Sequence, residues 1–161
     1  MLQTDFLEQL ISLTKTEALT ALIDSNGTIP FSQHRKLLDL CDGVMLDVKA
    51  WDSQVYRSLA YADNDRAVKA NLYLLLQSDK LTEVRIVCLP DNAPKTTDVE
   101  NILQHLARLP QMIEKQVPVR LLRFRPQGVS GRLKDTPMPS DEQMQRYVDL
   151  AHLLGLNVTV K

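Results

Sequence analysis

The sequence predicts an α/β fold with about five mainly parallel strands, arranged as part of a (β/α) barrel. Two observations carry this. Short apolar runs of strand character alternate with amphipathic helical stretches along the chain, which is the pattern of parallel strands joined by right-handed crossovers. That alternation alone leaves an open doubly wound sheet as the other choice. The second observation favours the barrel: the chain begins with a helix, as the return half of a βα unit would.

Taken in order, Phe6, Leu7, Leu10, Ile11 and Leu13 recur at helical spacing, with Asp5 and Glu8 near the positive end. "ALTALID" (18–24) is short and apolar and runs into the turn signal "SNG", so it reads as a strand. A helix is expected over 32–40, starting at Ser32 after Pro30 and ending near Gly43. A strand over 44–49 follows. "DNDRAVKANLYLLLQSD" (63–79) is a helix with Val68, Leu72, Leu75 and Leu76 on its inner stripe. "EVRIVCLP" (83–90) is a strand closed by Pro90. Thr97 and Glu100 match a capping box, and Pro110 stops or kinks the helix they open. "PVRLLRF" (118–124) is the fourth strand. The Pro- and Gly-rich loop "RPQGVSGRLKDTPMPS" (125–140) has the length of a functional or mobile loop. Ser140 and Gln143 cap a last helix that Gly155 ends, and "NVTV" is a final short strand.

The 161 residues suit one domain, 1–161, with its own core. A composition of 44% hydrophobic and 24% charged residues argues against disorder. A net charge of -1 argues against nucleic-acid binding by bulk charge. The apolar runs are too short to cross a membrane, and "MLQTDFLEQL" lacks the basic and apolar regions of a signal peptide. Cys41 and Cys88 form no CxxC pair and read as reduced and structural, so a cytoplasmic protein is expected.

Polar residues collect where parallel sheets bind ligands, at the C-terminal ends of the strands. In "VMLDVKAW" (44–51), Val44, Leu46 and Val48 share one face, and Met45, Asp47 and Lys49 the other. Asp24 ends the first strand, Arg85 lies in the third, and Arg123 and Arg125 share parity at the end of the fourth. Each also has a plain structural reading. Asp24 suits a turn cap, Asp47 and Lys49 an internal ion pair, Arg85 a partner for Glu83 or an aspartate, and Arg123 and Arg125 an exposed strand end. As a set, the two carboxylates with the hydroxyl and carbonyl of Ser25 suit a hard cation, with the Met45 main-chain oxygen nearby. The lysine and arginines suit a carboxylate or phosphate, and a zwitterion would match both. His34, His105 and His152 fall on helices without metal-ligand spacing, and no GxGxxG, GxxxxGK or GxSxG motif is present.

Four segments together, "DSNG" (24–27), "DGVMLDVKAWD" (42–52), "VRIVCLP" (84–90) and "VRLLRFRPQG" (119–128), resemble the second half of a glycyl-radical enzyme activase. The pyruvate formate-lyase activating enzymes are the best-known members. They belong to the radical S-adenosylmethionine (SAM) superfamily and have a partial (β/α)6 barrel. The resemblance lies in the order and spacing of D-S/T-N-G, M-x-D-(L/I/V)-K and (I/V)-R-x-(V/L)-x-(I/L)-P. It covers the chain from about residue 10 onward.

The resemblance implies a monovalent cation held by Asp24, Ser25, Met45 and Asp47 beside SAM. It implies that Asp24, Ser25, Asp47, Lys49, Arg85 and Arg125 contact SAM or order its site. In this family a reduced 4Fe-4S cluster cleaves SAM to a 5′-deoxyadenosyl radical, which takes a hydrogen from a glycine of a partner glycyl-radical enzyme. A flavodoxin or ferredoxin would supply the electron.

Two departures stand out. Arg125 follows "LLRF" where the family has a histidine, and either Gly128 or Gly131 matches the glycine that follows. The cluster loop CxxxCxxC and the glycine-rich SAM motif are absent, and two lone cysteines cannot replace three clustered thiolates. The expectation is therefore a C-terminal portion, cut by cloning or by the choice of start codon. By itself it would bind SAM weakly, catalyse nothing, and pair as a homodimer along the strand near 18–24. Two alternatives stay open: a non-catalytic interaction domain, and a Schiff-base lyase using Lys49.

Overall fold

A computed structural model describes residues 3–93, 98–109 and 115–161. The helices are α1 (Thr4–Thr16), α2 (Arg35–Leu40), α3 (Ser53–Ala60), α4 (Asp65–Gln77), α5 (Val99–Leu106) and α6 (Asp141–Leu153). The strands are β1 (Leu22–Ser25), β2 (Gly43–Asp47), β3 (Leu81–Cys88), β4 (Val119–Arg123) and β5 (Val158–Val160). The five strands lie side by side in chain order, and every pair is parallel. A doubly wound sheet would reverse its strand order part-way. Consecutive order with crossovers of one hand places the helices on one face, as in a section of a (β/α) barrel.

Burial follows that geometry. Val44 and Leu46 of β2, Val84, Ile86 and Cys88 of β3, and Val119 and Leu121 of β4 are buried under the helices. Alternate residues Met45, Asp47, Arg85, Val87, Arg120 and Leu122 keep partial exposure. The helices supply Leu37, Leu38, Val68, Leu72, Leu75, Ile102, Leu103, Leu106 and Ala151 to the same core. At roughly 1.5–3 kcal/mol for each large apolar side chain removed from water, this layer dominates the fold's stabilisation.

The boundaries differ from expectation in three places. First, β1 starts at Leu22 rather than at residue 18. Ala18 has φ 54°, a left-handed turn closing α1, and Leu19 stays exposed. Second, the helix expected over 32–40 divides into a 3-10 turn at Phe31–Gln33 and α2. Third, α3 had no counterpart in the sequence reading. Its cap is Asp52, whose carboxylate accepts from the Gln54 and Val55 amides at 2.8 and 2.9 Å. The capping box expected at the head of α5 includes Thr97, which lies outside the described residues, as does Pro110. Ser140 does cap α6, accepting from Gln143 N at 3.1 Å. The Gln143 side chain is used elsewhere: its amide donates to Leu89 O at 2.8 Å and its oxygen accepts from Asp91 N at 3.2 Å. It thereby ties the end of β3 to α6.

Candidate functional site

Strand register sets the site. Asp24 on β1 lies opposite Met45 on β2, Asp47 on β2 opposite Arg85 on β3, and Arg85 opposite Arg120 on β4. Because facing residues in a sheet share a face, these polar side chains line up across four strands on the side away from the helices. The β2–β3 pairing continues one step beyond Asp47, where Val48 N donates to Arg85 O at 2.9 Å. That step carries Lys49 onto the same face.

Arg85 is the hub. Its Nη1 donates to Asp24 Oδ2 at 2.6 Å, its Nε to Glu83 Oε1 at 2.8 Å, and its Nη2 reaches Met45 Sδ at 2.8 Å. These acids hold the guanidinium pKa above its ordinary value, the Glu83 hydrogen bond foremost. Lys49 Nζ stands 3.6 Å from Asp47 Oδ2, a looser pairing. Burial pushes the Asp47 carboxyl above its usual value. The Lys49 charge opposes that rise, the Asp24 charge adds to it, and Arg85 opposes it.

Loops hold this arrangement from outside. Asn71, buried in α4, donates from Nδ2 to Gly27 O and Ile29 O, both at 2.9 Å. Its oxygen accepts from Phe31 N at 2.8 Å. This fixes the loop that leaves β1 after Asp24 and Ser25. Gly27 has φ 69°, and a Cβ there would meet Leu46 Cδ1 at 2.8 Å, so the turn requires glycine. Asp98 clamps the loop after Lys49 by accepting from Trp51 N at 3.0 Å and Asp52 N at 2.8 Å. Beside Lys49, a hollow of about 280 Å³ is walled by Val87, Leu89, Phe124, Val129 and Leu133.

No family model matches the chain. It is 25% identical over 99% of its length to the pyruvate formate-lyase 2-activating enzyme of Escherichia coli, of which the match covers 56%. It is 22% identical over 63% of its length to the (2S)-3-sulfopropanediol dehydratase activating enzyme of Klebsiella oxytoca, covering 32% of that protein. Among solved structures, a domain of pyruvate-formate lyase-activating enzyme from Bacteroides vulgatus superposes with a TM-score of 0.79. That match covers 99% of this chain and 92% of the other, at 16% identity. The chain is thus similar in sequence to glycyl-radical enzyme activating enzymes and shares the fold of one such domain. A radical SAM methyltransferase from Sphaerobacter thermophilus shares the fold at a TM-score of 0.60 and 18% identity, over 87% of this chain and 39% of that one. The chain spans about half the length, or less, of the curated relatives it matches.

Of the residues expected at the site, Asp24, Met45, Asp47, Lys49 and Arg85 share one face. Ser25 ends β1, and its Oγ accepts from Gly27 N at 3.1 Å, which makes it part of the turn. Arg125 is exposed beyond the end of β4. Arg123 departs from the set: its guanidinium turns to Asp141 Oδ1 at 2.6 Å and Pro139 O at 3.2 Å, bracing the start of α6.

Arg120, Asn71 and Asp98 complete the surroundings without a role assigned from the sequence, and Glu83 is the partner of Arg85 that the plain structural reading offered. Glu83 had a visible signal, since it lies two residues before Arg85 and shares its face. Asn71 had one too, as an amide within the leucine stripe of α4. Among the described residues no group of three or more His, Cys, Asp or Glu could hold a metal ion. Cys41 and Cys88 are both buried, and burial pushes the Cys88 thiol up to about 12, so neither is poised as a thiolate ligand.

Proposed function

We propose that this chain is the C-terminal portion of a radical SAM activase that installs a glycyl radical on a partner enzyme, and that its exposed sheet face forms part of the SAM site. The observation that carries the reading is the ladder Asp24–Arg85–Asp47–Lys49 across three adjacent strands, beside an apolar hollow. The ladder offers acids for an ammonium or a cation and bases for a carboxylate, while the hollow offers a dry wall for a flat ring. A zwitterion with an attached aromatic base has both needs. When bound, SAM supplies the hydrogen-abstracting group, and the protein's share is position and charge.

Each residue then has a defined task. Asp47, held above the usual carboxylate range, gains most from a neighbouring positive charge. Lys49 stands at the mouth of the hollow and can turn its ammonium from Asp47 to a ligand carboxylate. Arg85 fixes Asp24 and Met45 and so preserves the spacing of the proposed monovalent-cation shell, Asp24, Ser25, Met45 and Asp47. The cluster does not fit this chain's thiols, since an iron–sulfur cluster needs more thiolates than two separate buried cysteines provide. The partner glycyl-radical enzyme and the electron donor follow from the same reading.

Titration of SAM into the chain by calorimetry tests it. Asp47→Ala should weaken binding about tenfold, the loss of roughly 1.4 kcal/mol. Equal binding by both proteins would remove Asp47 from the ligand shell.

A further inference from the structure

A second hollow, of about 410 Å³, opens on the same sheet face between β3, β4 and Lys161, the residue that follows β5. Arg85 and Arg120 lie in its floor, Leu122, Phe124 and Val129 in its walls, and Arg125 at its rim. The charges in the floor do not balance. Glu83 serves both floor arginines, with Oε1 2.8 Å from Arg85 Nε and Oε2 2.8 Å from Arg120 Nε. Arg85 has Asp24 as a second acid, but Arg120 has none among the described residues. The Arg120 Nε–H is buried, and although it is close to Glu83 it is not aimed to make a hydrogen bond. Arg125 is exposed, and no described residue pairs with it. The nearby Arg123 is already engaged by Asp141.

Guanidinium groups with unused donors match planar oxyanions, carboxylate above all. The space is larger than a bare ion fills, and its walls are apolar. We propose that this hollow takes the carboxylate of an acidic side chain carried by a peptide segment of a protein partner. The methylenes of that side chain lie along Leu122 and its oxygens meet Arg120, while Arg125, farther along the chain at the rim, adds positive charge beside the incoming segment. The activase reading supplies only the kind of partner, a protein substrate, whereas the anion chemistry rests on the arginines. The shared Arg85 places such a segment next to the candidate cofactor ladder.

The test uses the 161-residue chain and two blocked pentapeptides, one with a central glutamate between glycine and leucine neighbours, the other its glutamine twin. At low salt the glutamate peptide should bind at least about tenfold tighter, by calorimetry or amide shifts. Arg120→Gln should abolish that preference and Arg120→Lys should keep part of it. Arg125→Gln, at an exposed position that does not threaten folding, should lower the preference about threefold. Equal binding of the two peptides would overturn the proposal, as would a preference untouched by both glutamine variants. Free acetate binding as tightly as the peptide would also overturn it, because the apolar walls would then add nothing. A parallel titration with SAM reads the other site: failure there with the peptide preference intact would sink the cofactor reading and leave this one standing.

Discussion

At the scale of single residues, Asp47 is a carboxylate kept at a cost. Its folded pKa lies above its ordinary value, mainly through burial. The folded chain therefore holds a proton that the unfolded chain has lost, in the window between the two values. Stability falls as pH rises through that window, and the penalty is complete above the folded value. Asp47→Asn should accordingly raise the melting temperature at neutral pH, and the difference should close as pH drops below the unfolded value. A melting series for both proteins across acidic pH checks this; a lower melting temperature for the asparagine variant at pH 7 would mean that the Lys49 pairing outweighs burial. Glu83 is the opposite case. It is buried, and each of its oxygens faces an arginine Nε at 2.8 Å. Glu83→Gln should destabilise by roughly 1–3 kcal/mol, read from denaturant unfolding, because two guanidinium groups lose their shared charge.

At the scale of elements, legibility in the sequence tracked apolar periodicity. β2, β3, β4, α4 and α6 were placed to within a few residues, because each carries a clear apolar run or stripe. Where polar contacts decide, reading the sequence failed. In α3, with Val55, Tyr56 and Leu59 as its main apolar residues, helix formation leans on the Asp52 cap and the left-handed Tyr61 that closes it. Asp52→Ala should cost about 0.5–2 kcal/mol and fray α3 first, visible as faster amide exchange at Gln54 and Val55. Unchanged protection there would show that packing of Tyr56 holds the helix without its cap. The strand at 18–24 misled for a related reason: "ALTA" is apolar, but the turn at Ala18 and the exposure of Leu19 take it out of the sheet. The face shared by Asp47 and Lys49 was legible because strand alternation is rigid. The direction of Arg123 was not, since it depends on Asp141, which lies 18 residues further along the chain.

At the scale of the whole molecule, consecutive parallel strands do two things at once. They put an apolar layer under the helices, and they leave a polar and basic face across β1 to β4. β1 and β5 are the edges of this sheet. Among the described residues no helix is long and apolar enough to cross a membrane. The proposed function requires that a SAM-sized zwitterion sits on that face. Backbone amide shifts of the isotope-labelled chain, followed by NMR as SAM is added, test this directly. Saturable shifts are expected, concentrated at Asp24, Asp47, Lys49 and Arg85 and around Val87 and Phe124. Shifts confined to α1, α2 or α5, or no shifts at millimolar SAM, would contradict that placement.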